Sequence, residues 1–124
     1  MSITRGRAPR VLLVEDEVLI SMMIEDAMIA RGFEVLTATN AGDALQVLSE
    51  GEQVDVLFTD INIEGDVDGA ALAHRAHEIR PELPVIYASG TMKSIVNAVP
   101  GSSFVPKPYA PADICAMLTQ LTSS

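Results

Sequence analysis

"DVLFTDIN" (residues 55–62) runs Val56, Leu57, Phe58 and Thr59 straight into a carboxylate, Asp60. Four residues of high β-propensity between polar neighbours read as a buried strand. An acid at the tip of such a strand is costly unless something there uses its charge. The fold and the function both turn on what else arrives at that tip.

Working outward, the same short apolar run recurs. "RVLLV" (10–14), "EVLTA" (34–38), "PVIYA" (84–88) and "SSFV" (102–105) read as further strands, with "DVLFT" (55–59) the third in order. Helical patterns lie between them. "EVLISMMIEDAMIARG" (17–32) stops at Gly32, and "AGDALQVLSEG" (41–51), capped by Asn40, stops at Gly51. "GAALAHRAHEIR" (69–80) ends before Pro81, and "PADICAMLTQLT" (111–122) opens on proline. The segment 91–101, "TMKSIVNAVPG", leaves room for only a short or degenerate fourth helix before Pro100 and Gly101. Strands alternating with helices imply right-handed βαβ units, hence an α/β fold with a doubly wound parallel sheet. Strands apolar without alternation fit a sheet covered on both faces.

At 124 residues the chain has the length of one domain. Residues 10–122 form the expected domain and 1–9 a flexible N-terminus; no output domain is expected after it. The opening "MSITRGRAPR" has Arg5, Arg7 and Arg10 but no apolar segment behind them, so it does not read as a signal peptide. No run reaches the length of a membrane span. The single cysteine, Cys115, excludes an internal disulfide and fits a reducing cytoplasm; it is expected in the core. A net charge of −9 argues against direct contact with nucleic acid.

In open α/β sheets ligands bind beyond the carboxyl ends of the strands. Glu15 and Asp16 follow the first strand, Asp60 the third, Ser89 the fourth and Lys107 the fifth. Three acids, a hydroxyl and a lysine on one edge suit phosphoryl transfer. Clustered carboxylates call for a hard divalent cation such as Mg²⁺, which takes oxygen ligands. A carboxylate can be the nucleophile, and lysine with metal neutralises the charge that develops.

The residues "VED" (14–16), "TDIN" (59–62), "ASG" (88–90) and "FVPKP" (104–108) resemble the receiver domain of bacterial two-component response regulators, similar to the chemotaxis response regulator. The likeness covers roughly residues 10–122, and Asp16 and Asp60 stand 44 residues apart, as the family usually has them. It implies a flavodoxin-like fold of five strands in the order 2-1-3-4-5. It implies Asp60 as phospho-acceptor, Asp16 as a direct Mg²⁺ ligand, Glu15 as one through water, and Asn62 as a backbone-carbonyl ligand. Ser89 takes the place of the switch hydroxyl, Lys107 that of the family's lysine, and Phe104 that of the switch aromatic. A cis peptide is implied at Lys107–Pro108. Such a domain is not an enzyme beyond its own phosphorylation and dephosphorylation. Its donor would be a sensor histidine kinase or a histidine phosphotransfer protein docking on the first helix. Its output would be contact with a downstream protein, or it would act as a phosphate sink. The alternative is a non-phosphorylated interaction module that kept the fold.

Two stretches depart from the family pattern. The loop from Asp60 to Gly69 is longer, lacks proline, and carries Glu64, Asp66 and Asp68, which are either metal-facing or simply solvated. The stretch from Ser89 to Lys107 is shorter than in the chemotaxis regulator, and "YASGT" is similar to an atypical subgroup with an altered fourth helix. A homodimer is open, its usual geometry less so. On the first helix, Ile20, Met23, Ile24 and Ala27 are expected in the core. Val18, Met22 and Ile29 form a second patch that either docks a partner or covers neighbouring helices. His74 and His77 have the spacing of zinc ligands but no further ligand in view, and are expected to face solvent.

Overall fold

The computed structural model describes residues 8–61, 68–90 and 98–122. Five parallel strands, β1 (Arg10–Val14), β2 (Glu34–Ala38), β3 (Val56–Asp60), β4 (Val85–Ser89) and β5 (Ser103–Pro106), form one sheet in the order β2-β1-β3-β4-β5. The helices among the described residues are α1 (Val18–Ala30), α2 (Ala41–Ser49), α3 (Gly69–Ile79) and α4 (Pro111–Thr122). This is the doubly wound, flavodoxin-like arrangement.

Alternation along each strand divides one apolar run between two cores. Leu12, Val14, Leu57, Val85 and Tyr87 pack with Ala44 and Leu48 of α2 and Leu72, Ala73 and Ala76 of α3. Val11, Leu13, Val56, Phe58, Ile86 and Ala88 pack with Ile24 and Met28 of α1 and Ile114, Cys115 and Leu118 of α4. The central strands β3 and β4 are buried at every residue, while the edge strands β2 and β5 are partly exposed. A run that must be apolar on both sides cannot alternate, which is why the sequence shows none. Cys115 is in this core, as expected.

The helix ends follow local chemistry. Asn40 Oδ1 accepts from Asp43 N–H at 2.8 Å, and Asp68 Oδ1 from Ala71 N–H at 2.9 Å, each capping a helix start. Gly32 and Gly51, at φ +93° and +82°, let the chain leave α1 and α2 through a conformation side chains disfavour.

Several expectations need correction. β3, β4 and β5 each extend one residue further than the apolar runs suggested, so Asp60 and Ser89 are the last residues of strands rather than the first beyond them. Asp60 pairs with Ala88 in the ladder. On α1 the buried residues are Ser21, Ile24 and Met28, with Ile20 and Ala27 half-buried; Met23 is 53% exposed. A helix apolar nearly all round does not reveal its inward face by periodicity. Of the two histidines expected to face solvent, His74 is exposed but His77 is half-buried: its Nε2 lies 2.8 Å from the Leu83 carbonyl, past the end of α3. Asn62, Glu64, Asp66, Arg5 and Arg7 lie outside the described residues, as does most of the expected short helix. Of that stretch, residues 98–101 hold no helix, and Gly101 turns the chain at φ +78°.

Candidate functional site

The carboxyl ends of β1, β3 and β4, with the turn after β5, gather at one edge. Asp60 is 3% exposed, and Lys107 Nζ donates to its Oδ2. The lysine is positioned by backbone, since its N–H donates to the Ser89 carbonyl at 2.8 Å. Pro108 follows through a cis peptide, as the family resemblance implied. Next to Asp60, Ile61 N–H donates to the Ala88 carbonyl of β4 at 3.0 Å, which extends the ladder beyond the acid. Thr59 Oγ1 donates to the Asp60 carbonyl at 2.9 Å. The backbone of Asp60 is thus fixed by the β4 ladder and by its neighbour's hydroxyl.

Glu15 is fully buried. Its Oε2 accepts from Glu17 N–H at 3.1 Å, but its Oε1 has no hydrogen-bond partner among the described residues. Burial pushes the Glu15 carboxyl above its ordinary value, and the charges of Asp60 and Asp16 push the same way. The Glu17 hydrogen bond and Lys107 pull against them without prevailing. For Lys107, burial pulls the ammonium down, but the hydrogen bond and charge of Asp60, with Glu15 and Glu17, outweigh it and the net shift is upward. Asp16 is half-buried beside Glu15, and Ser89 is buried at the end of β4. The edge therefore holds acids in excess around one lysine, with a buried carboxylate oxygen left over.

Further residues surround the site. Gly69 opens α3 directly on the end of β3: a Cβ there would lie 2.2 Å from the Asp60 carbonyl oxygen and 2.8 Å from the Ile61 Cα. Gly69 N–H also donates to the Ile61 carbonyl at 2.8 Å. Glycine is required because helix and strand backbones touch. Tyr109 packs edge-on against Phe58, with centroids 6.2 Å apart, and its hydroxyl is buried without a partner among the described residues. Burial and the charges of Glu15, Asp60 and Glu17 push that phenol well above its ordinary value. A groove of about 410 Å³ opens beside it, lined by Glu17, Ile20, Met23, Lys107, Pro108 and Tyr109. Phe104 is half-buried and stacks on the fully buried Tyr87, with centroids 5.5 Å apart and planes at 18°. The hydrophobicity of these tyrosines was visible in the sequence, but not where each hydroxyl would point.

The model of the response regulator receiver domain matches residues 11–119. The chain belongs to this family. A receiver protein from Sinorhizobium medicae has the same fold, at TM-score 0.85 and 31% identity over 92% of this chain and 94% of its own. The receiver domain of the hybrid histidine kinase CckA superposes at TM-score 0.80 with 30% identity, covering 92% of this chain and 99% of that one. In sequence, the sensor kinase CckA of Brucella abortus is 30% identical over 105 residues, 81% of this chain and 11% of the kinase. The chain spans half or less of the length of the curated relatives it matches. As a receiver, the chain is a module of two-component signalling, and its strand order is that of its structural neighbours. Among the described residues, no helix is long and apolar enough to cross a membrane.

Proposed function

We propose that this receiver takes a phosphoryl group from a phosphohistidine donor onto Asp60. The observation that carries the reading is the buried Asp60 paired with the partly exposed Lys107 beside Glu15, a buried carboxylate with an oxygen unpartnered among the described residues. An Asp60 carboxylate oxygen attacks phosphorus, the bond from phosphorus to the donor imidazole nitrogen breaks, and that nitrogen keeps the electron pair. The product is an acyl phosphate on Asp60. Lys107, already at Asp60 Oδ2, is placed to follow the charge onto the phosphoryl oxygens. Ser89 at the end of β4 supplies a hydroxyl to the same oxygens.

The donor set fits a hard divalent cation. A buried acid with a spare oxygen, next to two further acids, is a desolvated negative site that a cation would relieve. Among the described residues no group of three or more His, Cys, Asp or Glu side chains is arranged to hold a metal. Mg²⁺, which keeps several waters, would take Asp16, Asp60 and the Asn62 carbonyl, with Glu15 through water. When bound it neutralises charge on the transferred group. The groove along α1 beside Lys107, with Val18, Leu19 and Met22 exposed nearby, is where the donor protein would dock. The setting is cytoplasmic, and the output is contact with a downstream protein or storage of phosphate.

The test is intact mass after incubation with a small-molecule phosphodonor and Mg²⁺. The wild type gains one phosphoryl group and Asp60→Asn gains none. No gain in the wild type, or equal gain in both, overturns the assignment.

A further inference from the structure

Tyr87 is the bulkiest fully buried side chain of β4, two residues before Ser89 and one before Ala88, which pairs with Asp60. It does two things at once. Its ring stacks on Phe104, the residue directly opposite it in the β4–β5 register. Its hydroxyl accepts from the buried Val99 N–H at 3.2 Å, reaching across to the segment that leads into β5. Leucine or phenylalanine would fill the same apolar space; only tyrosine also holds that backbone donor, which burial would otherwise leave unsatisfied.

We infer that Tyr87 is a positioning residue that couples the Asp60–Ser89–Lys107 edge to residues 98–104 of this chain. The inference deepens the phospho-acceptor reading and rests on it for its biological meaning. The geometry gives the route. Tyr87 is part of the same five-residue strand as Ser89, whose carbonyl accepts from Lys107 N–H, so a shift of this strand end carries the Tyr87 ring and hydroxyl with it. Phe104 rests on that ring and Val99 hangs from that hydroxyl, so both follow. Because Tyr87 already fills the space beneath Phe104, the aromatic seat cannot deepen without moving Tyr87. Readout in this chain therefore runs through the tyrosine as well as through Phe104.

Tyr87→Phe tests this, since it keeps the ring and the stack while removing the acceptor. The first measurement is amide hydrogen exchange of the unphosphorylated full chain. Val99 N–H should exchange about five- to tenfold faster in Tyr87→Phe; an unchanged rate overturns the tether. The second is the backbone NMR shift change at Val99 and Phe104 when Asp60→Asn breaks the lysine pair, with no phosphoryl group needed. That change should fall by more than half in the Tyr87→Phe background, and an equal change in both backgrounds overturns the coupling. Mass gain with the phosphodonor should be the same in wild type and Tyr87→Phe. A wild type that gains no mass would count against the phospho-acceptor reading alone, leaving the other two measurements to decide this one.

Discussion

Two ion-pair clusters stand at opposite ends of the same sheet. At the amino ends of the strands, Arg10 meets Glu34 at 2.8 Å and Glu52 at 3.3 Å, with the acid side chains about half exposed. Around it the polar groups find partners: Arg10 N–H donates to Asp55 Oδ2 at 2.7 Å, and Arg80 Nη2 donates to the carbonyls of Leu48 and Glu52. At the carboxyl ends, Lys107 meets an Asp60 whose side chain is only 4% exposed, and Glu15 is buried with an oxygen to spare. One end is closed and satisfied, as suits a cluster that holds strands together. The other keeps negative charge under low dielectric, which costs stability and suits a site awaiting a cation or a phosphoryl group. The same sheet twist and topology serve both; what differs is whether the polar groups are used up.

The contrast can be broken most severely at Gly69. Gly69→Ala forces a Cβ onto the Asp60 and Ile61 backbone, which no side-chain rotation relieves. A loss of about 3 kcal/mol in urea unfolding is expected, and it should fall on the carboxyl end of β3. Lys107→Met comes next. It leaves Asp60 buried without its cation, and a loss of about 2 kcal/mol is expected, reduced from the fully buried case because the lysine is partly exposed. The sign with pH is fixed by the upward shift of Lys107. Its contribution is complete below the ordinary lysine value of 10.5 and is lost as pH rises through the higher folded value. Unfolding of wild type and Lys107→Met should therefore converge only in strong alkali. Arg10→Met, at the satisfied end, should cost about 0.5–1 kcal/mol and lose even that at high salt. Losses of equal size at Lys107 and Arg10 would remove the distinction between the two ends.

Much of this was legible. Apolar runs spaced by helical patterns define the sheet, and the strand ends bring Glu15, Asp16, Asp60, Ser89 and Lys107 to one edge. The one-residue errors at β3, β4 and β5 share a cause: the ladder continues through Asp60, Ser89 and Pro106 after hydrophobicity has stopped. Met23 was misplaced because α1 is apolar on nearly every face. His77 was misplaced because its partner, the Leu83 carbonyl, lies beyond a turn that no helical pattern describes. Gly69, Tyr87 and Tyr109 went unread for a different reason. A glycine that admits a neighbouring backbone, or a hydroxyl that meets one amide, is defined by contacts between distant segments and leaves no periodic trace.

The surplus of buried acid is the centre of the account, and Glu15 reports on it most directly. Its folded value is raised, so the stability favouring its neutral form is present below the ordinary value of 4.5 and lost as pH rises through the folded one. The ionised form of this buried carboxylate is therefore a liability, which a bound cation would relieve. The measurement is the melting temperature of wild type and Glu15→Gln in EDTA and in MgCl₂, against NaCl of matched ionic strength. Glu15→Gln should melt higher than wild type in EDTA, and MgCl₂ should raise the wild type by more than NaCl does and the variant by less than it raises the wild type. A variant that melts lower in EDTA, or a wild type that responds to MgCl₂ no more than to NaCl, would contradict the account.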